Sequence, residues 1–235
     1  MPRETSDKII AIIPARGGSK GIPRKNVLDF CGKPLIAWTI LQAVNTPQVD
    51  AVYVTSDSDE ILDLAKKYGA KIIKRPQAIS GDTATSESAV EHAFEAIGIP
   101  KEMAFMLQAT SPLRKPDDLS RAIEQFRADG CDSGFSGAIL EDFLTWRKTQ
   151  EGVYESINYD YKNRGRRQDR PLEYVENGSI YFFKPQILLE HGNRLGGRIG
   201  TYLMEFWQSF EIDSPHDWDL LEILFKTHLG KYYSI

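Results

Sequence analysis

The chain has 235 residues, 41% apolar and 26% charged, with a net charge of −4. Those values suit one soluble α/β domain with a core of its own, and weak acidity argues against general binding to nucleic acid or a membrane, leaving anion binding to local basic loops. Two cysteines, Cys31 and Cys131, give neither a disulfide framework nor a metal-ligand spacing, and no signal peptide or long apolar span is visible, so both thiols read as small buried hydrophobes in a reducing cytoplasm.

Taken in order, residues 9–13 are an unbroken apolar run ended by Pro14. Such a run reads as a strand buried on both faces, as in a parallel sheet. The loop after it carries Gly17, Gly18 and Gly21, whose backbone can approach an anion closely. Between Ala11 and Leu28 lie Arg16, Lys20, Arg24 and Lys25, with no acid. A basic, glycine-bearing loop at the end of a buried strand is where an α/β sheet receives phosphates. The spacing is neither GxGxxG nor GxxxxGK[ST], which excludes a dinucleotide fingerprint and a P-loop.

Residues 34–45 then carry apolar positions at helical spacing, with Pro34 suited to a first turn. A strand is predicted at 51–55, a helix at 60–68 stopped by Gly69, and a short strand at 71–74. Arg75-Pro76 and the polar run 81–86 lead into a helix over 86–97. Residues 104–107 form another buried strand, with Gln108 at its C-terminal end, where ligands bind in open α/β sheets. An amphipathic helix at 116–128 and a small-residue strand at 133–138 follow. The alternation implies a mostly parallel, doubly wound sheet with helices on both faces.

From Glu141 aromatics and charges mix, and a basic cluster follows at Lys162, Arg164, Arg166, Arg167 and Arg170. By itself that cluster fits a solvated face, a nucleic-acid patch or a carboxylate clamp. Asn177-Gly178 between apolar runs reads as a type I′ hairpin turn. In 210–219, Ser214 is a natural N-cap with Pro215 and Asp217 in the first turn. Glu211 and Asp213 are left alternating on one face of a strand end, a pattern that suggests Mg²⁺ ligands. His216 and His228 read as surface residues.

Ordered blocks along nearly the whole chain together resemble the cytidylyltransferases that activate sialic and related nine-carbon acids. The first is Ala15, Arg16, Ser19, Lys20, Gly21, then Lys25 and Asn26, matching A-R-x-x-S-K-G…K-N. The others are Arg75 with Ser86, Gln108 to Arg114 (Q-x-T-S-P-[LF]-R), Arg167-Gln168, and Asn177 to Tyr181 (N-G-[AS]-I-Y). The block at Asp213 matches the second acid of the family's D-x-D, with Glu211 in place of the first. A second departure is Val175-Glu176 where R-P often precedes the N-G, and it leaves the acceptor acid open. Gln108-Ala109-Thr110 also departs from the Q-G-D of the synthetase for the eight-carbon sugar Kdo.

The resemblance implies transfer of CMP from CTP to the anomeric hydroxyl of a nine-carbon 2-keto sugar acid, with release of pyrophosphate. It assigns the nucleotide to Ala15, Arg16, Gly17, Ser19, Lys20, Lys25, Asn26, Arg75 and Ser86. The sugar falls to Gln108, Arg167, Gln168, Asn177 and Tyr181, Mg²⁺ to Asp213 and Glu211, and the chemistry to Arg16, Lys20 and Asp213. It further implies a nucleotidyltransferase domain over 1–140 and 184–235, with a dimerisation and sugar-clamp excursion at 141–183. A homodimer follows, in which Arg167 is expected to reach the partner's site. The alternatives are a Kdo or other sugar nucleotidyltransferase, and a catalytically silent nucleotide sensor on the same fold.

Overall fold

The run at 9–13 has no polar face to offer water, so its place is inside a sheet. The computed structural model, which describes residues 7–140 and 143–233 and omits the side chain of Arg167, puts it there. β1 (Ile9–Pro14) has parallel neighbours on both sides, β4 (Ala51–Ser56) and β6 (Met103–Leu107). Ile9, Ala11 and Ile13 join one apolar cluster while Ile10 and Ile12 join the other, all at most 1% exposed. At roughly 1.5–3 kcal/mol for each large aliphatic side chain buried, two-sided burial leaves this strand no other stable position.

Between β1 and β4 lie a two-residue pairing, β2 (Asp29–Phe30) with β3 (Lys33–Pro34), and helix α1 (Leu35–Val44). Helix α2 (Asp59–Lys67), capped by the Ser58 hydroxyl, leads to edge strand β5 (Lys71–Lys74). Helix α3 (Ser86–Ile97) precedes β6, and α4 (Asp118–Asp129) precedes β7 (Ser133–Ile139). A small arm, β8 (Trp146–Lys148) paired with β9 (Tyr154–Ser156), stands off the sheet. The chain rejoins the sheet as β10 (Tyr174–Phe183), then forms α5 (Pro185–His191), β11 (Ile199–Leu203) and α6 (Pro215–Tyr233).

Among the described residues the main sheet has seven strands in the order β11-β7-β10-β6-β1-β4-β5. Only β10 runs against its neighbours, β6 and β7. Side chains of α1, α2 and α4 fill one face, and those of α3 and α5 the other. The doubly wound, mostly parallel reading therefore holds. Predicted helix and strand ends differ from the observed ones by one or two residues, the usual uncertainty at frayed termini. α6 packs Leu221, Phe225 and Leu229 on Phe30, Trp38 and Leu113 as a third cluster. His228 stacks on Trp207 at 4.2 Å, so it is held and not a free surface residue. Cys31 and Cys131 are buried free thiols, as expected.

The Asn177-Gly178 expectation is corrected. The pair lies within β10, and the chain does not reverse there. Glu176 pairs with Gly137 and Tyr181 with Phe135, so β10 advances five residues while β7 advances two. This is a bulge, and the positive φ of 69° that a turn glycine would have used serves it at Gly178.

Arg114 holds this region together from inside. It has no exposed surface, and it donates to the carbonyls of Gln108 (2.7 Å) and Ser179 (2.8 Å), to the Thr39 hydroxyl (2.9 Å) and to Oε1 of Gln42 (3.1 Å). Burial pulls its pKa down to about 9, which still leaves it charged at neutral pH. Truncation to alanine strands several buried acceptors at about 1–3 kcal/mol each. Arg114→Ala is expected to lose at least about 3 kcal/mol of unfolding free energy in a denaturant titration; a loss below about 1 kcal/mol would refute that role.

Candidate active site

Because β1, β4 and β6 run parallel, their C-terminal ends open onto one edge of the sheet, where the crossover loops meet. A cleft of about 540 Å³ lies there. Its lining includes Ala15, Arg16, Ser19, Lys20, Lys25, Asn26, Arg75, Ser86, Gln108, Glu211 and Asp213, residues drawn from four of the sequence blocks.

The phosphate-type loop keeps its shape through contacts beneath it. The Ala15 amide donates to the Thr55 carbonyl (3.0 Å) and the Gly17 amide to the Asp57 carboxylate (2.9 Å). Gly17 therefore lies behind the cleft wall, and Gly18 takes a place in the lining instead. Gly21 is required by contact: a Cβ there would sit 1.8 Å from the Asp213 carbonyl oxygen. Asn26 donates to the Arg16 carbonyl (3.3 Å), while its own Oδ1 is buried without a partner. Arg75 is 6% exposed and hydrogen-bonded to Ser80 (3.1 Å). Burial lowers its pKa most, with the Arg16 charge adding to the effect and Asp57 opposing it.

The acid pair comes from an irregular extended segment before α6, not from a strand end as expected. Alternation survives, because Ile212 is fully buried between them and its amide donates to the Thr110 carbonyl (2.9 Å). Glu211 is raised in pKa by burial first and by the Asp213 charge second, while the Thr110 hydroxyl at 3.3 Å opposes. Asp213 is 2.9 Å from Lys25, whose ammonium also donates to the Ile212 carbonyl. Lys25 is thus 7% exposed and engaged by the acid segment even though it lines the cleft. Ser214 and Asp217 cap α6 reciprocally, as the sequence predicted.

Among the described residues no group of three or more His, Cys, Asp or Glu converges as a metal site. Glu211 and Asp213 nevertheless suit Mg²⁺, which needs only one or two carboxylates when phosphate oxygens and water complete its shell. The like-charge repulsion that raises Glu211 is what a bound cation would relieve.

The residues that the resemblance gives to the sugar are placed differently. Gln108 lines the cleft, and Gly178 packs so closely that a Cβ there would lie 3.4 Å from the Gln108 amide and 3.5 Å from Glu211. Asn177 is not brought to the cleft: its Oδ1 accepts from Ser136 (2.6 Å) and from the Ser179 amide (3.1 Å) inside the sheet. Tyr181 is 3% exposed, opposite the cleft-lining Met106, and its hydroxyl donates to Glu176. Gln168 is exposed in a 3-10 turn over Arg167–Asp169, and the side chain of Arg167 lies outside the described residues.

Two cleft residues escaped the sequence reading. Thr110 lay inside a quoted motif, but nothing marked its hydroxyl as the link between Gln108 (3.2 Å) and Glu211. Asp82 spans Arg16 (2.9 Å) and Lys20 (2.8 Å), and Lys20 with Arg16 holds its carboxyl below the usual range. Its position in a polar helix entrance made it look like ordinary capping chemistry.

A family profile described as Cytidylyltransferase matches residues 10–234. The chain belongs to the cytidylyltransferase family. It is 38% identical over 223 residues to N-acylneuraminate cytidylyltransferase A of Danio rerio, covering 94% of this chain and 51% of that protein. It is 33% identical to pseudaminic acid cytidylyltransferase of Campylobacter jejuni, covering 94% and 97%. A solved structure of CMP:2-keto-3-deoxy-manno-octonic acid synthetase complexed with CTP superposes with a TM-score of 0.70 at 18% identity, over 95% of this chain and 100% of that one, which speaks for the fold alone. The chain spans about half the length of the vertebrate cytidylyltransferases it matches.

Asp82 pairs with both Arg16 and Lys20, so Asp82→Asn is expected to free them and to tighten binding of an anionic ligand such as a nucleoside triphosphate. The pairs are solvent-exposed, which limits the gain to roughly two- to tenfold in Kd. Calorimetric titration checks it, and weaker binding would mean that Asp82 supports the site instead.

Proposed function

We propose that the protein transfers CMP from CTP to the anomeric hydroxyl of a nine-carbon, sialic-type 2-keto acid and releases pyrophosphate. The observation that carries this reading is the meeting of three groups in one cleft: the Arg16–Lys20 loop, the buried Arg75 with Ser86, and the Glu211–Asp213 pair. A nucleotide sensor needs the first two but not the third. Support for the acceptor class comes from the relatives named for N-acylneuraminate and pseudaminic acid, at 38% and 33% identity. Cytosine presents a carbonyl and a ring-nitrogen acceptor beside an amino donor. Arg75 and Ser86 supply donors for the first two, and backbone carbonyls take the third.

In the transfer, the acceptor's anomeric hydroxyl loses its proton to solvent and its oxygen forms a bond to the α-phosphorus as the bond to pyrophosphate breaks in line. Arg16 and Lys20 leave Asp82 for the phosphate oxygens and neutralise the charge that builds there. Such transfers depend chiefly on positioning and charge stabilisation. Asp213 and Glu211 would hold Mg²⁺, which when bound supplies charge neutralisation on the phosphates and lowers the pKa of the attacking hydroxyl. Buried free thiols in Cys31 and Cys131 accord with a reducing cytoplasm. Among the described residues no helix is long and apolar enough to cross a membrane.

Pyrophosphate release measured with a panel of nonulosonic acids, Kdo and four nucleotides tests the reading directly. CTP is expected to exceed UTP, ATP and GTP by far, with the nine-carbon acids as acceptors. Equal turnover with UTP would sink the base assignment. Arg16→Ala should lower kcat by roughly 10²–10³, and Asp213→Ala should abolish metal-dependent turnover. A kcat within about twofold of wild type in either variant would remove that residue from the reacting shell.

The arm supports a two-fold dimer. Trp146, Val153, Tyr154, Ile157 and Tyr161 are each 44–63% exposed there, too much apolar surface for so small a unit to bury alone. Arg167 of one copy is then taken to serve the partner's site. Mixed under subunit exchange, Arg16→Ala and Arg167→Ala proteins should regain activity in proportion to heterodimer, because one site then combines two intact residues. Verified heterodimers without recovery would rule out a shared site.

A further inference from the structure

Outside the cleft lining, one chain of polar contacts runs through Tyr181, which the resemblance gives to the sugar, to residues with no role so far. It begins at Glu87, next to the cleft-lining Ser86 at the start of α3, and runs through an ion pair to Arg194. The Arg194 guanidinium lies over the Tyr181 ring, 4.0 Å from its centroid, and the Tyr181 hydroxyl donates to Glu176. Glu87 and Arg194 are only about one-fifth exposed as side chains, whereas Glu176 at the end of the chain is exposed. Burial pushes the Tyr181 phenol up to about 12, so it stays a neutral donor to that carboxylate at any working pH.

Strand register fixes where Glu176 faces. Tyr181 is opposite Met106 on one side and Phe135 on the other, and Glu176 is opposite Gly137, two residues along β7 from Phe135. Directly paired residues share a face of a sheet, as do residues two apart along a strand. Glu176 therefore stands on the face that carries Tyr181 and the cleft-lining Met106. The bulge between them brings Gly178 against Gln108 and Glu211.

Resting on the proposed function, we propose that Glu176 is a specificity-determining residue for the acceptor, receiving O–H or N–H donors from a neutral substituent on the sugar and turning the acceptor's own carboxylate away from that wall. An ionised carboxylate can only accept hydrogen bonds. A second anion placed against it is repelled, which makes the residue discriminate by exclusion as well as by attraction. Tyr181 and Arg194 act through it as positioning residues.

Steady-state kinetics on the full-length protein test this with Glu176→Gln, Glu176→Ala and Tyr181→Phe. For Glu176→Ala the acceptor KM is expected to rise about tenfold or more, with the CTP KM unchanged. Glu176→Gln should recover part of the loss, because an amide oxygen still accepts. Tyr181→Phe should raise the acceptor KM in wild type but add little in the Glu176→Ala background. An unchanged acceptor KM in Glu176→Ala, or an equal rise for acceptor and CTP, overturns the assignment. Wild-type protein that releases no pyrophosphate with any acid would instead overturn the proposed function and this inference with it.

Discussion

The contact between Gly21 and Asp213 is the constraint on which the cleft depends. The loop after the first strand and the segment before the last helix come within van der Waals reach only because residue 21 has no Cβ. Lys25 then fastens the same junction through the Ile212 carbonyl and the Asp213 carboxylate. The loop cations and the two carboxylates are thereby built into one wall, although nearly two hundred residues separate Lys25 from Asp213 in the chain. A site made this way exists only when the whole sheet is complete.

Arg114 does the corresponding work beside Gln108. A guanidinium buried among neutral acceptors is costly to desolvate, and its depressed pKa records that cost. Its fork joins the end of β6 to the bulge of β10, the two pieces of backbone that carry Gln108 and Gly178. Four hydrogen bonds in fixed geometry suit arginine and not lysine.

Where local sequence and global fold ask for the same thing, the reading from sequence was accurate. The two-sided burial of residues 9–13, the strand at 71–74, the helix at 86–97 and the Ser214 cap all follow from short-range pattern. The glycine-bearing loop, Arg75, Ser86, Gln108 and the acid pair do share one cleft, and all but the acid pair end or begin a regular element on one edge of the sheet. Asn177-Gly178 was not legible, since a glycine with positive φ serves a turn and a bulge equally well. The partner that decides between them, Gly137, is forty residues away. Asp82 bridging Arg16 and Lys20, and Tyr181 reaching Glu176, were invisible for the same reason. A polar residue's pattern in sequence says that it needs a partner, not which one it has.

The two ends of the main sheet have a further consequence. β5 is four residues long, with Lys71 and Lys74 exposed at its ends and the Lys74 ammonium folded onto the Asp57 carbonyl at 3.0 Å. A strand so short and so charged is a poor template for another strand. β11, at the opposite end, is only five residues long. Open hydrogen-bonding borders on a sheet are the usual route to fibrous aggregation, and the β5 border is blunted against it. The apolar side chains exposed on the arm are kept apart from that border, in a separate two-stranded unit.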